Sequence, residues 1–137
     1  MQATALALAA YIGYFLLLLL MLASLRVLAT LGGKPANSFR PDGSDMPGFG
    51  QRLTRVHAKA YESFPFVGGA LILALATQHT AITDGLALWL LGARIAQGVT
   101  HLASGSVLAV QLRFFFFIVQ FVIVAKWTLA FAGQFAG

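Results

Sequence analysis

The sequence predicts an all-α integral membrane protein, folded as one antiparallel four-helix bundle. Of its 137 residues, 59% are hydrophobic and only 9% are charged, and a water-soluble domain of this size could not hide such long apolar runs in one core. A membrane-spanning helix needs roughly 20 mostly apolar residues, and four segments meet that need, at about 3–31, 51–78, 82–102 and 107–132. The sequence shows no repeat and no second domain, so we expect residues 1–137 to form a single domain in the lipid bilayer.

The first helix is expected to be retained and not cleaved as a secretion signal. Its sequence begins "MQATALALAAYIGYFLLLLLMLASL", with no positive charge before the apolar run. That run is also too long for the core of a signal peptide.

The second element is a surface loop at 32–50, "GGKPANSFRPDGSDMPGFG", whose prolines and glycines disfavour a regular element. Basic residues surround it, namely Lys34, Arg40, Arg52, Arg55 and Lys59, whereas the next connection, "TQHTAITDG", has no Lys or Arg. Because Lys and Arg accumulate in cytoplasmic loops, the first loop is predicted to be cytoplasmic and both termini to lie on the other side.

The remaining boundaries are predicted from short polar segments. Thr83 and Asp84 are expected to cap the N-terminus of the third helix, because such side chains accept hydrogen bonds from its first amides. The segment "ASGS" at 103–106 is expected to break the chain before the fourth helix.

A polar stripe runs along the second helix, within "RLTRVHAKAYESFPF". At 100° per residue its members fall within an arc of about 80°, and they are Arg52, Arg55, Lys59, Glu62 and Phe66. His57 and Tyr61 point away from this face.

The third helix repeats the geometry, since Arg94, Gln97, His101 and Ser104 stand at the same offsets as the first members of that stripe. On the fourth helix, Arg113 shares a side with Gln120. Three helices are therefore each expected to carry a polar face.

A charge within the hydrocarbon region costs several kcal/mol, so ionisable residues there normally face a bundle interior or a cavity. For Arg52 and Arg55, near the predicted cytoplasmic surface, contact with lipid headgroups is an equally good interpretation. For the deeper residues the alternative is an internal salt bridge such as Glu62 with Arg94.

One glutamate cannot neutralise every cation on these faces, which are Arg52, Arg55, Lys59, Arg94 and Arg113. Uncompensated charge is expensive away from water. If the faces converge, the excess positive charge predicts an anionic ligand that enters from the cytoplasmic side.

Composition argues against several other classes of function. The chain has no cysteine, which excludes disulfides and thiolate chemistry of its own. His57, His79 and His101 lack paired ligand spacing, so no metal site is predicted. The net charge of +5 lies beside apolar spans and not in a solvated patch, so no nucleic-acid partner is expected.

The whole pattern resembles the membrane-associated proteins in eicosanoid and glutathione metabolism, the MAPEG family. In that family the second helix carries Arg-x-x-Arg-Ala-x-x-x-Asn-x-x-Glu followed by a Pro-Phe or Pro-x-Phe element, which is similar to "RLTRVHAKAYESFPF" here. The segment "ARIAQGVTH" on helix three and an arginine opening helix four agree with it. The resemblance implies a bacterial-type member in the inner membrane, assembled as a homotrimer that binds glutathione between subunits.

Carried over by position, the resemblance implies a set of site residues. Those implied to bind glutathione are Arg52, Arg55, Lys59, Glu62, Arg94, Gln97 and His101, and Arg113 is implied to face the thiol as the catalytic residue. The chain departs from the family pattern where Lys59 replaces asparagine, where His101 stands in place of a frequent tyrosine, and where Phe114 follows the helix-four arginine.

Two functions follow from the resemblance. The first is a glutathione transferase or peroxidase that acts on a lipophilic small molecule. The alternative is a non-catalytic module with the same fold, either a lipid binder or an accessory subunit of a larger membrane complex. A transporter is disfavoured because the helices lack broken segments and a polar pathway.

Overall fold

A computed structural model describes residues 2–41, 44–46 and 48–137, and within these residues the chain is all-α, as predicted. Residues 42, 43 and 47, in the predicted loop, lie outside the described part. The described helices are α1 (Gln2–Leu31), α2 (Gly48–Ala76), the short α3 (Thr80–Thr83), α4 (Ala87–Ala103) and α5 (Val107–Ala136).

The four long helices pack as two pairs of sequence neighbours, and the two pairs pack against each other. Helix α1 lies mainly against α2, α4 lies mainly against α5, and contacts of α4 with α1 and α2 join the two pairs. A larger apolar cluster centres on Tyr11, Leu90 and Trp127. A smaller cluster around Leu18 and Leu53 lies towards the α1–α2 connection, and we call that end of the molecule the loop end.

Helices α1 and α5 are each long and apolar enough to cross a membrane. In their most apolar windows only 22% and 17% of the residues are buried inside the protein. The core helix of a soluble protein would be mostly buried, so these exposed apolar surfaces indicate a lipid environment.

The predicted cap of the third helix is wrong. Helix α4 begins at Ala87, after an N-cap residue, Leu86, whose side chain makes no capping bond. Asp84 instead accepts hydrogen bonds from the Thr4 amide, at 3.0 Å, and from the Thr4 hydroxyl, at 2.5 Å. The acidic cap therefore serves the first turn of α1, whose amides lack partners within their own helix.

Two helix ends share one geometry with different residues. After α1, Gly33 has φ +110° while Lys34 N–H donates to Ala29 O at 3.0 Å. After α2, Gln78 has φ 61° while His79 N–H donates to Ala74 O at 2.9 Å. Both are Schellman endings, but at Gln78 a side chain occupies the left-handed position that glycine usually takes.

The other boundaries differ little from prediction. Helix α2 begins at Gly48, inside the expected loop. The chain does break at 104–106, where the Ser106 side chain accepts a hydrogen bond from Ala109 N–H at 3.2 Å and so caps α5.

Candidate functional site

A half-open cavity of about 640 Å³ lies between α2, α4 and α5. Its volume falls within the range typical of small-molecule sites. The polar part of its wall consists of Lys59, Glu62, Ser63, Arg94, Gln97 and Gln120. The polar faces predicted on the second and third helices therefore do meet, in part, at one cavity.

Arg94 is the most unusual residue in this wall. Its side chain is only 4% exposed. One guanidinium nitrogen, Nη1, donates to the Ser63 hydroxyl at 2.9 Å, whereas Nε is buried and has no hydrogen-bond partner in the described part of the chain. Among the described residues no carboxylate lies within 4.0 Å of it. A buried cation without a counter-ion is costly, so Arg94 favours an anion in the adjoining cavity.

The side chain that holds Arg94 is itself anchored to α1. The Tyr11 hydroxyl lies 2.5 Å from the Ser63 hydroxyl and donates to Ala60 O at 2.7 Å. Tyr11 is fully buried and Ser63 is buried. This chain of hydrogen bonds links α1, α2 and α4, and it fixes where the Arg94 guanidinium lies.

A pair of amides joins α4 to α5 at the same cavity. Gln120 Nε2 donates to Gln97 Oε1 at 2.8 Å and to Phe116 O at 3.0 Å. Both glutamines are buried. They present polar groups to a ligand without adding charge.

Lys59 and Glu62 lie at the open side of the cavity, where both are exposed. The expected alternative, a salt bridge between Glu62 and Arg94, is not formed, because Arg94 binds Ser63 instead. The charged lining thus comprises Lys59, Arg94 and Glu62, which is two cations against one carboxylate.

The rest of the wall is mostly apolar and belongs mainly to α5. It consists of Phe66, Phe117, Phe121, Val124, Ala125, Thr128 and Leu129. The hydroxyl of Thr128 donates to Val124 O of its own helix at 2.8 Å. One side of the cavity therefore suits a hydrocarbon group.

Four predicted site residues do not line the cavity. Arg52 Nε donates to Leu102 O at 3.0 Å, which ties α2 to the end of α4. Arg55 is exposed. His101 is buried. Arg113 is half-buried, with its Nε buried and unpartnered.

Sequence reasoning missed Tyr11 and Ser63, which support Arg94 from a different helix. The sequence did contain a signal for both residues. Ser63 directly follows Glu62, and Tyr11 carries a hydroxyl group within an apolar run. Buried hydroxyls in apolar helices usually have a polar partner.

A comparison with protein families gives a match over residues 4–133, to the model described as the MAPEG family. Neither the curated proteins nor the solved structures contain a significant match to the chain. The family match covers nearly the whole sequence and agrees with the two apolar helices. The chain is therefore an integral membrane protein that belongs to the MAPEG family.

Proposed function

We propose that this protein binds glutathione in the α2–α4–α5 cavity and joins it, through its sulfur, to a lipophilic electrophile. The observation that carries the proposal is Arg94, a buried cation in a ligand-sized cavity with no carboxylate partner among the described residues. Membership of the MAPEG family supports glutathione as the anion.

The charged lining matches the groups of glutathione. Its two carboxylates would be bound by Arg94 and Lys59, and its ammonium group by Glu62. The Gln97–Gln120 pair would hydrogen-bond its peptide groups. A second substrate would lie against the apolar wall of α5, which is open to lipid.

Reaction requires the thiol to become a thiolate, which is the nucleophile. A nearby cation lowers the pKa of a thiol, and one pKa unit corresponds to about 1.4 kcal/mol. The thiolate sulfur then forms a bond to the electrophilic carbon, and the displaced group leaves with the bonding electrons. With a lipid hydroperoxide, the sulfur would instead attack the distal oxygen, and the O–O bond would break to give a sulfenic acid and the lipid alcohol. A second glutathione thiol would then displace the hydroxyl group from the sulfenic sulfur, which gives glutathione disulfide and water.

Two arginines are candidates for stabilising the thiolate. Arg94 lines the cavity of its own chain. Arg113 does not, and it would serve if glutathione lies between the copies of a homotrimer. We propose Arg113 for this role, as the family resemblance implies, with Arg94 as a carboxylate ligand.

The proposed membrane arrangement has four spanning helices, α1, α2, α4 and α5, in each copy of the homotrimer. Cationic residues at the loop end support a cytoplasmic position for that end. Both termini would then lie on the opposite side of a bacterial inner membrane.

The test is the thermal stability of the detergent-purified protein with and without millimolar glutathione. A ligand that binds only the folded form stabilises it by about 1.4 kcal/mol at ten times its Kd. Lys126→Gln is the matched control, because Lys126 is exposed on α5 and does not line the cavity. An unchanged melting temperature in the wild-type protein would reject glutathione binding.

Two variants separate the roles. Arg113→Leu should retain glutathione binding but lose the ultraviolet absorbance of the bound thiolate, and retention of that absorbance would remove Arg113 from the mechanism.

Glu62→Gln should weaken binding of glutathione more than binding of an analogue without the amino group, and equal losses would refute the ammonium contact.

Two observations favour the non-catalytic alternative, a lipid-binding or accessory subunit of a larger membrane complex. Lys59 adds a cation where the family pattern has asparagine, and most of the cavity surface is apolar. This alternative predicts stabilisation by a fatty acid and none by glutathione in the same thermal assay.

A further inference from the structure

A second polar site lies at the loop end of the molecule, between α1, the α1–α2 loop and α2. Two cavities, of about 510 Å³ and 320 Å³, share two lining residues, Arg26 and Phe39. The first cavity is also lined by Thr30 of α1 and Asn37 of the loop. The second is lined by His57 of α2. None of these residues lines the α2–α4–α5 cavity.

The ring of Phe39 organises the charges at this site. The Arg26 guanidinium lies 5.5 Å from the ring centroid, and the Lys34 ammonium lies 5.3 Å from it. Both distances suit cation–π contacts, which hold the loop against the end of α1.

The charges at this ring do not balance. Lys34 forms an ion pair with Asp45 at 3.1 Å. Desolvation acts to raise the pKa of Asp45, but hydrogen bonds from the Arg40 amide and from Lys34 outweigh it and lower that pKa overall. Arg26 has no carboxylate within 4.0 Å among the described residues. Within the described part of the chain, Arg26 is therefore left without a counter-ion.

Other donors surround Arg26. Thr30 and Asn37 line the same cavity as Arg26, and the side chains of both can donate hydrogen bonds to an anion. In the second cavity, His57 Nε2 is buried and has no hydrogen-bond partner among the residues that the structure describes. The set suits a phosphate group, which accepts several hydrogen bonds and pairs with arginine.

An apolar surface leads away from this cavity towards the middle of α1. Val27 and Leu31 line the cavity, and Leu16 and Leu20 continue the same face within an arc of about 60°. All four side chains are more than half exposed. A free phosphate ion would make no use of this surface, whereas an acyl chain would cover it.

We propose that the Arg26–Phe39 site binds the phosphate group of an anionic phospholipid, whose acyl chain lies along Leu16, Leu20, Val27 and Leu31. The lipid would hold the α1–α2 connection against the helices and neutralise Arg26. This site is separate from the glutathione proposal and does not depend on it.

Native mass spectrometry of the detergent-purified full chain tests this site. The protein is titrated with dioleoyl phosphatidylglycerol and with dioleoyl phosphatidylcholine, which have the same acyl chains but differ in net charge. The wild type should bind the anionic lipid more tightly. Arg26→Gln should reduce that affinity roughly tenfold, as expected for loss of a charge-assisted hydrogen bond.

Arg40→Gln is the matched control, because Arg40 is an exposed loop arginine that lines neither cavity, and it should keep the preference. If Arg26→Gln does not fold, Asn37→Ala replaces it, since Asn37 is exposed on the loop, and it should also weaken binding. Equal affinity for the two lipids, or an unchanged preference in the folded variant, would overturn the proposal. Displacement of the lipid by millimolar inorganic phosphate would overturn it too, because the site would then bind the free ion.

Discussion

Gly98 should not tolerate alanine, because α4 and α1 approach each other closely there. A Cβ atom at Gly98 would lie 1.9 Å from the Tyr14 hydroxyl oxygen, 3.2 Å from Tyr14 Cζ and 3.3 Å from Val56 Cγ1. Real Cβ atoms essentially never approach another atom within 3.0 Å, so either the tyrosine or the helix must move.

The magnitude follows from two opposing effects. Overpacking a core typically costs about 1–3 kcal/mol, whereas replacing glycine by alanine inside a helix contributes about 1 kcal/mol of stability. We therefore expect Gly98→Ala to lower the free energy of unfolding by up to about 2 kcal/mol. Gly92→Ala is the matched control on the same helix, since nothing lies within 4 Å of its Cβ position, and it should be neutral or stabilising.

The assay is equilibrium unfolding in mixed detergent micelles, followed by helical circular dichroism. Tyr14→Phe should restore most of the loss in the double variant, because it deletes the clashing oxygen. On its own it should cost little, since the Tyr14 hydroxyl is buried without a partner. Equal stability of the Gly98 and Gly92 variants would refute the close approach of α1 and α4.

Three further predictions concern stability. Gln78→Gly should stabilise the protein by about 1 kcal/mol, because glycine adopts the left-handed backbone conformation of this residue without strain. Gln78→Ala should give no gain, and a gain would mean that the glutamine side chain, not the backbone conformation, destabilises the protein. Ser63→Ala should destabilise by about 1.5–3 kcal/mol, as expected when a charged donor, Arg94, loses its partner; an unchanged stability would mean that Arg94 is satisfied without it. Asp84→Ala should cost about 1–2 kcal/mol through loss of the cap on Thr4, and Asp84→Asn should cost less. In a Thr4→Val background, which removes the Thr4 hydroxyl but keeps its amide, the cost of Asp84→Ala should be smaller, and an undiminished cost would show that Asp84 does not act through that hydroxyl.

Helical periodicity predicted the part of the site that depends on one helix at a time. It placed Lys59, Glu62 and Phe66 on one face of α2, and all three line the same cavity. It likewise paired Arg94 with Gln97 on α4, and both line it too. The spacing of residues along the sequence fixes the angle between their side chains around the helix axis. That angle is enough to predict that these residues share one face of their helix.

Periodicity does not fix how far along a neighbouring helix a residue lies. Arg52 and Arg55 share the face of Lys59 but precede it by one to two turns, and they lie outside the cavity. Arg113 shares a side with Gln120, but only Gln120 lines the cavity. Placing these residues requires the relative shift and rotation of the helices, which is set by tertiary packing.

Hydrogen bonds between residues far apart in the sequence could not be predicted either. Asp84 is a residue type that commonly caps helices, and it lies just before α4 in the sequence. It nevertheless accepts a hydrogen bond from Thr4, which lies 80 residues away. The support of Arg94 by Ser63 spans 31 residues. In both cases a polar group found a partner on another helix, because an unpaired buried polar group costs free energy.

The proposed function depends on the buried charge of Arg94, which would draw an anionic thiol ligand into the cavity, and isothermal titration calorimetry with glutathione is the decisive experiment. We expect saturable binding by the wild type and by Lys126→Gln, and at least a tenfold loss of affinity in a folded Arg94→Gln variant, in line with about 1.5–3 kcal/mol for a charge-assisted hydrogen bond. The same affinity in all three proteins, or no binding heat in the wild type over a range of temperatures, would contradict it.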